Sequence, residues 1–358
     1  MSNFGRKVDS KSVYFTKTMY MLYFFQQVLA MIFTERDVLL KMDKKKQNSQ
    51  MIQVRKHHRK HTLMMIKRNW LLYFFLLPAV VYIAVFCYAP IYGLQIAFKD
   101  FTIRDGISGS EWVGLKWFIR FFSQPRFWLI LKNTLSVSIY GLVTFPLPIV
   151  LALILNNVKS ARYKKFAQTI TYMPHFISTV VLVGMMSVMF SPSSGLVNTM
   201  LGWIGIEPIY FMGRSEYFRH MYVWSGVWSG MGWGSIIYMA ALAGVDPSLH
   251  EAARIDGANK LQRVWNIDLP TIVPTMSIML IMNFGSIMSV GYEKVYLMQN
   301  DLNMNTSEVI STYVYKMGIL NNLKSYSSAI GMFNNVINFI MVITMNKVIK
   351  KISGSGLW

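Results

Sequence analysis

Six long stretches of the chain are apolar and, away from their ends, contain no Asp, Glu, Lys or Arg. A helix rises about 1.5 Å per residue, so about 20 apolar residues cross the ~30 Å hydrocarbon layer of a bilayer. Burying so many apolar residues without charge leaves little room for a water-soluble fold. We therefore predict an all-α membrane protein with six transmembrane helices, over residues of about 70–98, 130–157, 166–190, 221–245, 270–292 and 326–348.

The charge balance of the chain is compatible with two classes of protein. The 358 residues carry a formal net charge of +20 and have a mean hydropathy of +0.35. Such an excess is typical of nucleic-acid-binding proteins, or of membrane proteins with basic cytoplasmic edges. The basic residues lie beside the apolar stretches and form no separate basic domain, which favours membrane lipid over nucleic acid as a partner. The one cysteine, Cys87, excludes an internal disulfide, and packing explains its place in an apolar run.

Residues 1–68 precede the first span, and we predict a basic cytoplasmic N-terminal extension that is partly helical or disordered. Segment 19–33 is apolar but short and is interrupted by two glutamines, which favours an interfacial helix over an extra span. Residues 55–68 combine lysines and arginines with three histidines. A metal-binding histidine cluster is one interpretation. A positive cytoplasmic flank is favoured, because no Cys or carboxylate accompanies the histidines.

The loops between the predicted spans alternate in charge. Residues 55–68, the loop 159–165 and the end of the chain carry Lys and Arg without Asp or Glu, whereas the other short loops are of mixed sign. Positively charged loops stay on the cytoplasmic side of a membrane. We therefore predict that both termini, including a tail at 351–358, are cytoplasmic and that the transmembrane domain covers 69–350.

A polar loop, residues 245–270, separates the fourth and fifth predicted spans. Asp246 is placed to cap a short helix, and Pro247 suits its first position. Gly257 can adopt the left-handed conformation that ends this helix, and Asn259 can cap a second one. The two helix ends leave backbone groups unpaired, so the polar loop cannot face lipid. We predict that it lies in water and contacts another protein.

The polar loop also follows a longer pattern: E-A-A, three residues, G, nine residues, I-x-L-P. This pattern resembles the EAA loop of the membrane subunits of binding-protein-dependent ABC importers; the alternative is an ordinary amphipathic cytoplasmic loop. The resemblance implies the type I importer permease fold and a cytoplasmic loop that couples to an ATPase subunit. We expect the apolar edge of the first short helix to insert into a groove of that subunit. The coupling residues implied are Glu251, Ala252, Ala253, Arg254, Asp256, Gly257, Ala258, Ile267, Leu269 and Pro270.

Further stretches carry a second resemblance, among them YMPHFIS (172–178), SPSSGLVN (191–198), YSSAIGMFNNVIN (326–338) and the terminal GLW. From about residue 70 onward the chain resembles sugar permeases of the LplB-like polysaccharide branch. This implies a bacterial plasma-membrane (inner-membrane) subunit that, with a second permease, two ATPase subunits and an extracytoplasmic solute-binding protein, imports complex oligosaccharides. It also implies that the chain is no enzyme and binds no cofactor, with ATP and Mg on the ATPase subunits. The sequence has no G-x-x-x-x-G-K-[ST] phosphate loop.

The predicted spans contain residues suited to a sugar path. Aromatic faces bind sugar rings, and amides or hydroxyls bind their hydroxyl groups; Asn334 and Asn338 share a helix face. Helix–helix hydrogen bonds and interfacial aromatics are the alternative role of each such residue. His175 is predicted to pack or to start a helix, and we expect no catalytic residue and no metal site. The candidates for the path are Trp228, Trp233, Asn283, Ser286, Asn334 and Asn338.

Three other functions compete with that of an importer permease. A secondary transporter or channel would act alone and usually needs ionisable residues deep in its spans, which this sequence lacks. An intramembrane enzyme would need a cluster of catalytic residues, and none is evident. A permease for a different solute, such as phosphate, amino acids or peptides, stays within the same class of protein.

Overall fold

Helices make up nearly all of the regular structure in the residues that the computed structural model describes, which are Met64, Met65 and residues 68–358. Most of the predicted N-terminal extension therefore lies outside the described residues. This holds for the interfacial helix at 19–33 and, apart from Arg68, for the basic run with its histidines.

The chain divides into two units, Met1–Ala89 and Pro90–Trp358. In the first unit, helix α1 (Trp70–Ile83) continues into a π-helical turn, Ala84–Tyr88. Helix α1 is apolar on all sides, as a helix surrounded by lipid must be. It also contains Pro78, which membrane helices tolerate because neighbouring groups pair with the freed carbonyl.

The second unit is a helical bundle with a two-stranded antiparallel ribbon, in which Lys99 is paired with Trp112. Its first half contains a 3-10 helix at Ala89–Phe98, β1 (Lys99–Asp100), α2 (Gly106–Gly109), β2 (Glu111–Trp112), α3 (Lys116–Phe122), α4 (Phe127–Val143), α5 (Pro146–Asn156), α6 (Ala161–Tyr172), a 3-10 turn at Met173–Phe176, α7 (Thr179–Met189) and α8 (Leu196–Trp203).

The second half begins with the 28-residue helix α9 (Ser215–Leu242) and ends with the 30-residue helix α16 (Lys324–Ser353). Between them lie α10 (Pro247–Ile255), α11 (Lys260–Arg263), a π turn at Val264–Asp268, α12 (Leu269–Gly285), α13 (Tyr292–Met298), α14 (Met304–Ser307), α15 (Ile310–Tyr315) and a π turn at Lys316–Leu320.

Four helical stretches in the described part of the chain are long and apolar enough to cross a membrane: Trp70–Phe98, Phe127–Asn156, Lys260–Gly285 and Lys324–Ser353. The pair Ala161–Phe176 and Thr179–Met189 would add a fifth. Helix α9 has the length, but its Gly, Ser and Trp residues make it less apolar. The number of six spans therefore stays a prediction.

Two predicted spans differ from the structure in shape. The stretch at 166–190 is not one straight helix, because α6 and α7 bend by 99° at the break between them. The stretch at 270–292 stops being helical at Gly285. A run without charged residues indicates a segment inside the membrane. It does not indicate where a helix within that segment bends or ends.

The break between α6 and α7 is packed tightly against α9. Pro174 lies in the 3-10 turn, and the Ser178 hydroxyl then accepts a hydrogen bond from the Val181 N–H at 3.3 Å, which starts α7. The His175 ring stacks on Trp233, with 4.4 Å between ring centroids and 5° between planes. His175 thus packs at a helix boundary, as predicted. Trp233, a predicted residue of the substrate path, therefore lies against this break.

Helix α9 holds the bundle together through apolar contacts with several helices. One buried cluster joins it to α5 and α12 through Ile149, Ala152, Tyr238, Leu242 and Ile272. A second cluster joins it to α4, α7 and α13. Burial of apolar surface stabilises a fold by roughly 25 cal/mol per Å². Because both clusters bury side chains of α9, it is the central helix of the second unit.

Gly232 of α9 is the point of closest approach to the broken span. A Cβ atom at this position would lie 1.9 Å from the Thr171 carbonyl oxygen, whereas a Cβ at Gly230 would meet nothing within 4 Å. We expect Gly232→Ala to destabilise the protein by about 1–3 kcal/mol, because α9 and α6 would have to separate. Thermal unfolding of the purified protein in detergent measures this, with Gly230→Ala as the matched control. Equal melting temperatures for the two variants would contradict the close contact.

Candidate functional site

The polar loop folds as two short capped helices, α10 and α11. The Asp246 carboxylate accepts a hydrogen bond from the Ser248 N–H at 2.9 Å, which lowers the pKa of Asp246, and Pro247 takes the first turn of α10. Gly257 has a φ of 79° and ends the helix. Asn259 and Gln262 cap α11 reciprocally, with distances of 2.9 and 2.7 Å. The predicted caps and turn are therefore confirmed.

The polar loop exposes several large apolar side chains: Leu249 (51%), Ile255 (87%), Leu261 (79%) and Trp265 (70%). Such a patch on a polar segment is typical of a contact surface for another protein. Most of the expected coupling residues lie on its exposed rim, namely Glu251, Ala252, Arg254, Asp256, Gly257 and Pro270, whereas Ala253, Ala258, Ile267 and Leu269 are half-buried.

A contact between His250 and Asp268 joins α10 to the start of the next membrane helix. The His250 Nε2 atom lies 3.2 Å from Asp268 Oδ1, and the carboxylate is 1% exposed. The distance is that of an ion pair, although neither carboxylate oxygen makes an aligned hydrogen bond. This pair was not predicted from the sequence. One feature of the sequence could have indicated it: Asp268 stands next to an apolar span. A carboxylate that is buried at such a position needs a polar partner.

A polar cavity of about 310 Å³ lies where α12 ends. Residues 286–291 are largely non-helical and supply much of its wall, and α4, α9 and the end of α12 supply the rest. Its lining is polar but carries no Asp, Glu, Lys or Arg. The lining residues are Val137, Ser138, Gly141, Leu142, Tyr222, Asn283, Ser286, Ile287, Ser289, Val290 and Gly291.

Asn338 of α16 holds the non-helical wall in place. Its Oδ1 accepts a hydrogen bond from the Met288 N–H at 3.0 Å, and its Nδ2 donates to the Ser289 hydroxyl at 2.8 Å. Asn334, one turn away, donates to the same hydroxyl at 3.4 Å. Asn338 thus supplies an acceptor that a backbone N–H outside a helix needs in a membrane, and both amides hold the Ser289 side chain.

The structure brings together four of the six predicted path residues. Asn283 and Ser286 line the polar cavity, while Asn334 and Asn338 stand behind its wall. Trp228 is not among the lining residues, and Trp233 lies at the break of the third span. The two predicted tryptophans therefore do not line the cavity. Ser138 and Tyr222 line it but were missed as path residues, because nothing local in the sequence distinguishes them.

Comparison with known proteins identifies the family. Residues 146–354 match the family of binding-protein-dependent transport system inner membrane components. The polygalacturonan/rhamnogalacturonan transport system permease protein YteP of Bacillus subtilis is 42% identical over 305 residues, covering 85% of this chain and 95% of YteP. Protein LplB of the same organism is 41% identical over 294 residues, covering 82% and 92%. The chain belongs to this family of transport permeases.

A solved structure resembles most of the chain. It is the crystal structure of a bacterial alginate ABC transporter in complex with an alginate pentasaccharide-bound periplasmic protein. One of its chains superposes with a TM-score of 0.76 at 39% identity, covering 82% of this chain and 99% of that chain. The predicted fold class, an all-α membrane protein of the importer permease fold, is therefore confirmed. The chain is a multi-pass transport permease subunit and not a catalytic enzyme.

Asn338 provides a test of the cavity wall. We expect Asn338→Leu to destabilise the protein by about 1–3 kcal/mol, because the buried Met288 N–H loses its acceptor. The matched control is Asn335→Leu, an exposed position on the same helix. Thermal unfolding in detergent, followed by circular dichroism, compares them. A loss no larger than that of the control would mean that Asn338 does not support residues 286–291.

The His250–Asp268 pair is tested by a double-mutant cycle. His250→Ala leaves a buried carboxylate without its imidazole partner, so we expect a loss of about 1–3 kcal/mol. Adding Asp268→Asn removes the charge and should restore part of the stability. Thermal unfolding of the two single variants and the double variant gives the coupling free energy. A coupling near zero would show that the two side chains do not interact.

Proposed function

We propose that the chain is the permease subunit of an ATP-driven ABC importer, paired with a second permease and two ATPase subunits and supplied by an extracytoplasmic solute-binding protein. The observation that carries the proposal is the polar loop, which presents a rigid apolar patch beside a membrane helix. Membership of the permease family and the resolved alginate transporter, with its periplasmic protein, support it.

The ATPase subunits would bind ATP and Mg and hydrolyse the nucleotide, since this chain has no phosphate loop of its own. Closure of the ATPase subunits would move α10, whose apolar side chains would sit in a groove of the partner, with Glu251, Arg254 and Asp256 at the rim. His250 and Asp268 would carry that movement to α12. The spans would then alternate between inward- and outward-open states, each favoured by a different partner.

The cargo we propose is a complex oligosaccharide, and acidic oligosaccharides are the first to test. YteP transports polygalacturonan and rhamnogalacturonan, and the structural relative transports alginate. All three polymers contain uronic acids. The polar cavity offers hydroxyls and an amide, which are the groups that bind sugar hydroxyls.

For the orientation, we propose that both termini and the polar loop face the cytoplasm of a bacterial cell. Basic residues lie at 55–68 and near the end of α16, where they are Lys347, Lys350 and Lys351. The polar loop lies two predicted spans before the C-terminus and so faces the same side. The coupling residues would then be on the side of the membrane that contains ATP.

The test is uptake by proteoliposomes that contain this permease, co-purified with its second permease and a P-loop ATPase. We expect uptake of labelled galacturonan oligosaccharides only with ATP inside and a binding protein outside. Leu249→Glu should abolish uptake and ATPase co-purification, because a charge would enter the proposed groove. Leu302 lies outside the polar loop and is 66% exposed, against 51% for Leu249, and the Leu302→Glu variant should retain both. Uptake without ATP or ATPase would favour a secondary transporter.

A further inference from the structure

Two cationic side chains lie against one face of α9. Arg219, Tyr222 and Gly226 share this face, because about 100° separates successive residues of a helix. Lys294 of α13 reaches the same face: its Nζ donates to the Tyr222 carbonyl at 2.8 Å and lies 4.7 Å from the centroid of the Tyr222 ring. A Cβ at Gly226 would be 3.4 Å from Nζ, so the glycine leaves the ammonium room.

Neither cation is neutralised by a carboxylate in the described part of the chain. The ion pairs there join Lys116 to Asp100, Glu308 to Arg126 and Lys316, and His250 to Asp268. Arg219 donates instead to the Asn133 amide oxygen at 3.1 Å, and its buried Nε has no hydrogen-bond partner. Partly buried charges without counter-ions are costly, so they indicate a ligand that would complete them.

Lys294 stays mostly charged in spite of its burial. Desolvation lowers the pKa of its ammonium to about 8. Near neutral pH the protonated form therefore still dominates. It uses one N–H on the Tyr222 carbonyl, which leaves two N–H groups for another acceptor.

The polar cavity lies next to this cationic face. Tyr222 contributes to the cavity wall, and Gly291, three residues before Lys294, lines it too. The cavity walls themselves provide only neutral groups. A ligand bound there by its hydroxyls would thus bring an acidic substituent close to the Lys294 ammonium.

We propose that Lys294, supported by Arg219, is the specificity-determining residue of the path and binds the carboxylates of uronic acid residues in the cargo. The proposal rests on the proposed function and narrows its substrate class to acidic oligosaccharides. An ammonium and a guanidinium form charge-assisted hydrogen bonds with a carboxylate. A neutral sugar would leave both cations unpaired, which selects against it.

The first experiment uses the wild-type complex without a binding protein. We expect digalacturonate to raise its melting temperature more than the neutral digalactose does, because only the former carries carboxylates. Equal effects of the two disaccharides, or no effect of digalacturonate, would overturn the proposal. Since no transport is involved, this result is independent of the uptake test of the proposed function.

The second experiment compares Lys294→Gln with Lys294→Arg in the reconstituted importer. Glutamine retains an N–H donor for the Tyr222 carbonyl but loses the charge. We expect the Gln variant to raise the KM for digalacturonate-containing oligosaccharides about tenfold, and the Arg variant to stay near wild type. Lys132→Gln removes an exposed lysine of α4 and serves as the control.

Each outcome of the second experiment has one meaning. Uptake that is unchanged in Lys294→Gln would show that the lysine only ties α13 to α9, which overturns the proposal. If the Gln variant does not assemble, the comparison of disaccharides on the wild-type complex still tests whether carboxylates are recognised, and equal effects would overturn the proposal. If the wild type itself moves no oligosaccharide, the proposed function is wrong. This result differs from transport by the wild type that the Lys294→Gln variant leaves unchanged, which would overturn only the role of Lys294.

Discussion

Inside a bilayer, each backbone N–H and C=O has to find a partner within the protein, because lipid offers none. Long helices meet this requirement by themselves. Every position where a helix stops at membrane depth therefore needs side chains that replace the helical hydrogen bonds. In this protein Asn338 accepts such a bond at residues 286–291, and Ser178 does so at the break after α6, where Gly232 lets α9 pack closely.

The same requirement explains where the polar cavity is. A helix that ends early exposes backbone and needs amides and hydroxyls around it, so polar residues concentrate there. Asn283, Ser286 and Ser289 are thus both structural and available to a polar ligand. The cavity and the supporting amides of α16 form one unit, and neither would be stable in lipid without the other.

The polar loop, which is exposed, pairs its backbone groups locally and does not depend on distant helices for this. Its short helices satisfy their ends with their own side chains, through Asp246 and the pair of Asn259 and Gln262. Because local caps fix its shape, its apolar side chains can remain exposed without collapsing onto one another. The His250–Asp268 contact then ties this exposed surface to a membrane helix.

The sequence by itself determined the class of fold, the caps and turn of the polar loop, and the family. These features depend on the length of apolar segments, on runs without charged residues and on residues a few positions apart. All of them can be read from neighbouring positions in the chain. Only the tertiary structure decided the bend of the third span, the early end of α12, and the pairing of His250 with Asp268 and of Lys294 with α9. Each of these joins residues far apart in the chain, and which distant groups meet follows from how the helices pack. For this reason Asn338 was found as a polar residue on a helix face, while its role as a support for Met288 and Ser289 was visible only in the folded protein.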